Sequence, residues 1–153
     1  MTRFAILLGG GLTVTTRLRA QIKGARVIAA DSGVAHATSL GVIPELWVGD
    51  FDSAGSELAI QYADIPREAF PAEKDATDGA IAIAAALARG ASELVLVGGL
   101  GGQADHTLGH FGLTLRLARD GFPTILTSGD EEAHAIVPGE TQLDLAAGVR
   151  LSI

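Results

Sequence analysis

The 153-residue chain contains no cysteine and only one methionine, one tryptophan and one tyrosine. Without cysteine it can form neither a disulfide bond nor a thiolate zinc site, which fits a reducing compartment, and we expect a cytoplasmic location. Lysine and arginine total 11 against 18 acidic residues, the net charge is -7, and no basic block occurs, so a surface for nucleic acid or an anionic membrane is not predicted. No apolar run is long enough for a signal-peptide core or a membrane span.

Short apolar runs alternate with longer helical patterns over most of the chain. This order predicts an α/β fold, a Rossmann-like three-layer domain whose mainly parallel sheet is buried on both faces. Hydrophobic residues make up 48% of the chain, enough for a sizeable core. The predicted strands are Phe4–Leu8, Arg26–Ala30, Leu46–Gly49, Glu93–Val97 and Thr124–Thr127.

Four helices are predicted between these strands. The segment 78–89 has almost no polar face and should pack between other elements, and Gly90 should end it. The segment 107–119 carries an apolar stripe and stops at Gly121, before a proline. Its stripe consists of Leu108, Phe111 and Leu115. The other two predicted helices are shorter and span Val34–Leu40 and Ser56–Tyr62.

The pattern changes after Ser128. Three short β-like segments separated by turns follow, at 133–137, 142–145 and 149–153. We therefore predict an α/β domain over residues 1–129 and the beginning of a small β-rich domain over 130–153. The last segment either pairs with another chain or belongs to a β domain that the sequence only begins, and we favour the second interpretation.

Two carboxylates one residue apart follow the predicted strand Leu46–Gly49. On an extended backbone Asp50 and Asp52 point the same way, and such oxygens suit Mg²⁺, a hard ion often held by carboxylates and substrate phosphates. For an isolated pair, a polar turn that caps the strand is the favoured explanation. Other loops have to decide between the two.

Two further loops carry acidic residues. Asp31 either caps the next helix or binds a polar group of a ligand. Residues 73–78 place Lys74 beside Asp75 and Asp78 at the start of the apolar helix. Thr77 or Asp75 serves as an N-cap, but capping does not require a lysine. A lysine beside acids is what a phosphate and its metal ion use together.

The fourth loop, residues 98–107, is rich in glycine and ends in Asp105, His106 and Thr107. Its glycines allow backbone N–H groups to surround phosphate oxygens. It matches neither the dinucleotide-binding fingerprint nor the P-loop of nucleoside triphosphatases. A zinc pair of His106 and His110 is disfavoured against structural histidines, because no third ligand is evident.

Taken together, the loops resemble those of the thiamine pyrophosphokinase family, enzymes that transfer diphosphate from ATP to the hydroxyl of thiamine. The resemblance covers roughly residues 4–128. The segments that carry it are ADSGVAHA (30–37), LGVIPELWVGDFDS (40–53), EKDATD (73–78) and GGLGGQADHTLGH (98–110).

The resemblance implies a role for each matching residue. Asp50, Asp52 and Asp75 are implied to bind Mg²⁺. The implied catalytic residues are these three together with Asp78 and Asp105. ATP and its phosphates are implied to meet Ser53, Lys74, Thr77, Gly101, Gly102, Gln103, His106 and Thr107. Asp31 and Ser32 are implied to bind substrate. The implied partners are ATP and thiamine, and the implied assembly is a homodimer.

The chain departs from the family pattern at a few positions. The family has glycine at Ser32, glutamate at Ala80, arginine at Gln103 and asparagine at His110. The arginine is the largest loss, since it removes a positive charge and a bidentate donor. Two alternatives therefore remain: a diphosphokinase for another alcohol, such as a hydroxymethylpterin, and a degenerate homologue that binds nucleotide without turnover.

Overall fold

The computed structural model of the chain describes residues 1–49, 55–69 and 76–153. Within these residues the backbone forms a seven-stranded sheet in the order β4-β3-β2-β1-β5-β6-β7. Every neighbouring pair is parallel except β6 and β7. The strands are β1 (Arg3–Leu7), β2 (Arg26–Ala30), β3 (Leu46–Gly49), β4 (Arg67–Ala69), β5 (Glu93–Val97), β6 (Thr124–Thr127) and β7 (Glu132–His134).

Alternate residues of the central strands enter two separate hydrophobic cores. In β1, Phe4 and Ile6 pack on one side of the sheet, whereas Ala5 and Leu7 pack on the other. The same alternation runs through β2 and β5, as the two-residue period of a strand requires. Because both faces are covered, these strands are apolar at every position after the first residue, and the predicted three-layer α/β fold is confirmed.

Helices cover the two faces. Helices α4 (Asp78–Ala88) and α5 (Ala104–Arg119) belong to one layer, with α4 against the strands β1 to β3 and α5 against β6. The other layer contains α1 (Thr16–Ile22), a 3-10 helix (Asp31–Ala35), α2 (His36–Leu40) and α3 (Ser56–Gln61). Within the described part of the chain, no helix is long and apolar enough to cross a membrane.

Two elements were not predicted, and two predicted helical segments begin three residues earlier than expected. Helix α1 and strand β4 are short and partly polar, so neither stands out as an apolar pattern. The predicted helix Val34–Leu40 is a 3-10 helix followed by α2. Helix α5 starts at Ala104 instead of Thr107, two residues after Gly102, whose φ of +87° ends the loop.

The predicted stripe of α5 does not face the core. Leu108, Phe111 and Leu115 are 72%, 44% and 37% exposed. The buried side of the helix is formed instead by Thr114 and Leu117. An apolar stripe therefore lies on the outer surface of this helix.

The C-terminal prediction is only partly correct. Strand β7 pairs antiparallel with β6 and so extends the main sheet. The segments 142–145 and 149–153 are not strands, because they pair with no other strand of the described chain. The assignment of residues 130–153 to a second domain stays a prediction.

Candidate active site

The strand order reverses direction between β1 and β5. From β1 the chain builds outward through β2, β3 and β4, and it then returns to the opposite side of β1 to form β5 and β6. In open α/β sheets, the crevice beyond the carboxyl ends of the strands at such a reversal is the usual ligand site. The loops after β1 and β5 must therefore form its floor.

These two loops touch each other through glycine backbone. The Gly10 amide donates to the carbonyl oxygen of Gly98 at 2.8 Å. A Cβ added to Gly10 would clash with that same oxygen, and one added to Gly98 would clash with the carbonyl of Leu8. Only glycine fits at this contact, because the two backbones are too close for side chains.

A cleft of about 880 Å³ opens above this contact, a size typical of ligand pockets. Its walls come from the loop after β1, the turn after β2, the N-terminus of α4 and the first turns of α5. Most of the sequence-predicted site residues that the structure describes line it: Asp31, Ser32, Thr77, Asp78, Gly101, Gly102, Gln103, Asp105 and His106. Thr107 is not among the lining residues.

Asp31 lies at the carboxyl end of β2 in an unusual backbone conformation. Its φ is +47°, the only positive φ of a non-glycine residue in the described chain. Its carbonyl accepts a hydrogen bond from Nε1 of the buried Trp47 at 2.8 Å, which holds the turn from below. The N-cap of the following 3-10 helix is Ala30, so Asp31 is not the capping residue. Strained residues of this kind concentrate at functional sites.

Thr77 and Asp78 start α4 at the wall of the cleft. The Thr77 hydroxyl accepts a hydrogen bond from the Ala80 amide at 3.2 Å, so the predicted N-cap is confirmed. Asp78 follows in the first turn, where a carboxylate interacts favourably with the helix dipole. Gly79 is buried against Leu8 beneath the cleft.

The glycine-rich loop leads directly into α5. Gly101 and Gly102 have φ values of +74° and +87°, so the backbone turns back twice before the helix begins. Gln103 is the N-cap but makes no capping hydrogen bond through its side chain. The Thr107 hydroxyl instead donates to the Gly101 carbonyl at 3.2 Å, which ties the first turn of the helix to the loop.

Two histidines brace the same loops. His36 Nε2 lies 2.9 Å from the Gly10 carbonyl oxygen, and His110 Nδ1 lies 2.9 Å from that of Gly99. A carbonyl can only accept, so each of these ring nitrogens carries its proton and donates. In neutral His110 the other nitrogen, Nε2, is an acceptor beside Gly79 at the cleft wall.

Sequence reasoning gave His36 no role and favoured a structural role for His110 without identifying its partner. His36 lies inside the segment ADSGVAHA and His110 ends the glycine-rich segment, so their positions in the motifs were the available signal. Their partners are main-chain carbonyls that lie 26 residues from His36 and 11 residues from His110. A residue pattern does not report such contacts.

The cleft is rich in acidic oxygen atoms. Asp31, Asp78 and Asp105 line it, and Arg116 is the only lysine or arginine among the described lining residues. Asp50, Asp52, Ser53, Lys74 and Asp75 lie outside the described residues. No group of three or more histidine, aspartate or glutamate side chains within 1–49, 55–69 and 76–153 is placed to hold a metal ion.

A family model for the catalytic domain of thiamin pyrophosphokinase matches residues 20–126. This match covers well over half of the chain and includes the cleft residues from Asp31 to Arg116. The chain belongs to the thiamin pyrophosphokinase catalytic-domain family.

Relatives of known name agree with this assignment. The thiamine pyrophosphokinase of Bacillus subtilis is 29% identical over 119 residues, which is 76% of this chain and 56% of that protein. The crystal structure of thiamin pyrophosphokinase from Geobacillus thermodenitrificans superposes with a TM-score of 0.65 at 27% identity, covering 83% of this chain and 59% of that one. The Bacillus subtilis crystal structure gives a TM-score of 0.69 at 24% identity and shares the fold, with 82% and 60% of the two chains covered.

The thiamin pyrophosphokinase relatives are longer than this chain. It spans less than two thirds of the length of the Bacillus subtilis and Geobacillus thermodenitrificans proteins. The matched part contains the sheet reversal, the cleft and the loops that line it.

Proposed function

We propose that the protein is a thiamine pyrophosphokinase, which transfers the diphosphate of ATP to the hydroxyl of thiamine and releases AMP. The observation that carries this proposal is the coincidence of the family match with the cleft at the sheet reversal. The activity is the one named for the Bacillus subtilis relative. We further propose that the protein acts in the cytoplasm as a homodimer.

The donor half of the reaction requires a place for three phosphate groups. We assign ATP to the side of the cleft formed by Gly101, Gly102 and Gln103, with Thr77, His106 and Thr107 nearby. The turns at Gly101 and Gly102 expose backbone N–H groups, which bind phosphate oxygens without a side chain. Lys74 and Ser53 are assigned to the phosphates by their family motif alone.

A phosphate ligand in this cleft needs positive charge. The three lining carboxylates repel phosphates, and one arginine does not neutralise them. The available donors are carboxylate, hydroxyl and carbonyl oxygens, which fit a hard cation such as Mg²⁺. We assign Asp50, Asp52 and Asp75 as its ligands. When bound, the ion would neutralise charge on the transferred diphosphate.

The acceptor half involves the opposite wall. We assign thiamine to Asp31 and Ser32, because thiamine carries a permanent positive charge and Asp31 brings a carboxylate to the cleft. The thiamine hydroxyl attacks the β-phosphorus in line with the departing AMP, and positioning contributes most of the acceleration. Asp78 and Asp105 are the candidates for accepting the hydroxyl proton.

Product analysis tests the proposal. Purified protein incubated with ATP, thiamine and Mg²⁺ should form thiamine diphosphate and AMP in equal amounts, resolved by chromatography. EDTA should abolish the reaction, and excess Mg²⁺ should restore it. ADP as the nucleotide product would reject diphosphate transfer.

An acceptor panel and one variant separate the alternatives. AMP release with a hydroxymethylpterin and not with thiamine would identify a different diphosphokinase, and ATP–Mg²⁺ binding without AMP release for any acceptor would identify a degenerate homologue. Asp50→Asn should reduce both ATP–Mg²⁺ affinity and turnover. Unchanged values for this variant would contradict its assignment as a metal ligand.

A further inference from the structure

The chemical character of the cleft changes along α5. Its end at the N-terminus of the helix is polar and is lined by Gln103 and Asp105. His110 lies six residues beyond the first residue of the helix, about 9 Å further along the axis, and Arg116 lies a further six residues on. The lining residues around His110 are small or apolar: Leu8, Gly79, Ala80, Gly109 and Leu113. The cleft therefore joins a polar end, to which the phosphates are assigned, to an apolar end around His110.

His110 presents a fixed hydrogen-bond acceptor to this apolar end. Its Nδ1 donates to the Gly99 carbonyl at 2.9 Å and so keeps the single proton of the neutral ring. Its Nε2 makes no hydrogen bond to any described residue. Nor is Nε2 enclosed, because the only buried side-chain nitrogen or oxygen without a partner in the described chain is Gln21 Oε1. The Nε2 lone pair is therefore open to the cleft and can only accept.

Gly79 keeps the space in front of this nitrogen clear. A Cβ added at Gly79 would lie 3.7 Å from His110 Nε2 and 3.1 Å from Leu8 Cδ2. Gly79 is buried in the first turn of α4, so a side chain there would occupy the space between the two helices. Ligand sites combine apolar walls with a few placed polar groups. A single open acceptor among apolar residues suits a flat ring that carries an N–H group.

The two purine bases of nucleotides differ in this respect. Adenine presents the N7 acceptor and the 6-amino donor on one edge, whereas guanine presents two acceptors there, N7 and O6. A group that only accepts pairs with the 6-amino group and faces the 6-oxo group lone pair to lone pair. Neutral imidazole could adapt by moving its proton to Nε2, but the Gly99 carbonyl holds that proton on Nδ1. The ring of His110 therefore discriminates between the two bases.

We propose that His110 selects the base of the nucleotide substrate: Nε2 accepts a hydrogen bond from the 6-amino group of adenine and disfavours purines with a 6-oxo group. This inference rests on the proposed function, in which phosphates occupy the N-terminal end of α5 and thiamine the wall at Asp31. The nucleoside then extends along α5 to His110, and Leu8 and Leu113 border its ring. His110 thus determines specificity in addition to bracing the loop.

The affinities for ATP and inosine triphosphate test the proposal. Inosine triphosphate carries a 6-oxo group in place of the 6-amino group and leaves the ribose and phosphates unchanged. Calorimetric titration with Mg²⁺ and without thiamine should show that the unmodified protein binds ATP about tenfold more tightly. The reason is that an acceptor facing an acceptor leaves both groups without a donor.

His110→Asn separates base selection from the brace. The asparagine amide supplies a donor for the Gly99 carbonyl, but the side chain is too short to place an atom at the position of Nε2. Inosine triphosphate should therefore bind more tightly than to the unmodified protein. ATP affinity should change less than about twofold, because water hydrogen-bonds to the 6-amino group instead. The ratio of the two affinities should fall from about ten to about two or less.

Two controls show that the effect belongs to the base. His106→Asn changes the histidine one turn earlier, at the phosphate end, and should alter both affinities by the same factor. Inorganic triphosphate with Mg²⁺ carries no base, so the unmodified protein and His110→Asn should bind it equally well.

Gly79→Ala reaches the same contact without changing His110, and it decides the question if His110→Asn does not fold. The added methyl group would lie in front of Nε2, so ATP affinity should fall to about that of inosine triphosphate. The affinity for inorganic triphosphate should stay unchanged. Gly112→Ala is the matched control, because Gly112 lies in α5 with open space around it and outside the lining of the cleft. It should keep the tenfold preference.

Two results would overturn the proposal. One is equal affinity of the unmodified protein for ATP and inosine triphosphate. The other is a preference for ATP that survives both His110→Asn and Gly79→Ala. These titrations contain no thiamine, so a failure to form AMP would reject the proposed function and leave base selection intact. Equal binding of the two nucleotides by a protein that forms AMP would reject base selection alone.

Discussion

His110 on α5 donates from Nδ1 to the carbonyl oxygen of Gly99 at 2.9 Å. The hydrogen bond joins a helix to the loop that precedes it and fixes the loop against the floor of the cleft. His36 makes the equivalent contact with Gly10 on the neighbouring loop. The two loops at the sheet reversal are therefore held from both sides, which favours a preformed phosphate site.

Replacing His110 tests this brace. His110→Ala leaves the Gly99 carbonyl without its donor, so we expect about 1 kcal/mol less stability and roughly fivefold weaker ATP–Mg²⁺ binding. His110→Asn supplies an amide donor and is the family's own residue, so it should retain most of both. Urea denaturation and calorimetric titration measure the two quantities. Equal losses in the two variants would indicate that ring packing, and not the hydrogen bond, matters.

The contact between Gly10 and Gly98 predicts a strong steric effect. Gly10→Ala places a methyl group against a main-chain oxygen that is fixed by strand pairing, so we expect a loss of about 1–3 kcal/mol in the free energy of unfolding. Gly112→Ala is the matched control, because it lies in a helix with open space around it. There the added methyl group should stabilise the protein by about 0.5–1 kcal/mol. Urea denaturation measures the free energy of unfolding of both variants. An unchanged free energy of unfolding for Gly10→Ala would contradict the tight contact.

An ion-pair cluster between α1 and β7 should govern acid stability. Glu132 on β7 accepts hydrogen bonds from Arg17 and from Gln21 Nε2, and it lies 3.1 Å from His134 Nε2. The hydrogen bond from Arg17 is the largest cause that lowers the pKa of Glu132, to about 2. A carboxyl with a lowered pKa stabilises the fold above its unfolded pKa, and this contribution is lost as the pH falls from about 4.5 to about 2.

Glu132→Gln therefore should cost about 1–3 kcal/mol at pH 7 and remove part of the pH dependence between these two values. Glu140→Gln is a control at an exposed carboxyl of the same C-terminal region. Denaturation series at several pH values measure both. A slope that is unchanged by Glu132→Gln would show that other carboxyls carry the acid sensitivity.

The sheet could be predicted from the sequence because its central strands are buried on both faces. The predicted bounds Arg26–Ala30, Leu46–Gly49 and Glu93–Val97 were correct. Each of these strands contains an unbroken apolar run, which begins after the first residue in the strands that start with Arg26 and Glu93. Strand β4 is short and includes Arg67 and Glu68, so it shows no such run. Helix α1 was not predicted for the same reason, since its first turns contain Thr16, Arg17 and Arg19.

Helix α5 shows where pattern analysis fails in a more instructive way. Amphipathicity locates an apolar face, but it does not say whether the domain's own core or another surface covers that face. Thr114 is buried because its hydroxyl donates to the His110 carbonyl at 2.8 Å within the helix, so a polar residue can sit on the sheet. The sheet-facing side of α5 therefore includes a polar residue, and the apolar Leu108 lies on the solvent-exposed side.

The candidate site was predictable to the extent that its residues follow strands. The carboxyl ends of parallel strands share one edge, so Asp31, Asp78 and Asp105 were expected together, and all three line the cleft. The contacts of His36 and His110 with main-chain carbonyls were not predictable, because a carbonyl has no sequence signature.

The strongest functional prediction concerns Gln103, which lies exposed at the N-terminus of α5 beside the proposed phosphates. Gln103→Arg restores a planar, charged donor that can bind two phosphate oxygens at once, so we expect ATP–Mg²⁺ affinity to rise about five- to tenfold. Gln103→Lys adds the same charge without the bidentate geometry and should gain less. Gln103→Met adds no charge and should gain nothing. Titration of the three variants with ATP–Mg²⁺ separates the effect of charge from that of geometry. Equal gains in affinity for arginine and lysine would leave charge alone as the cause. No gain in affinity for either would place the phosphates elsewhere in the cleft.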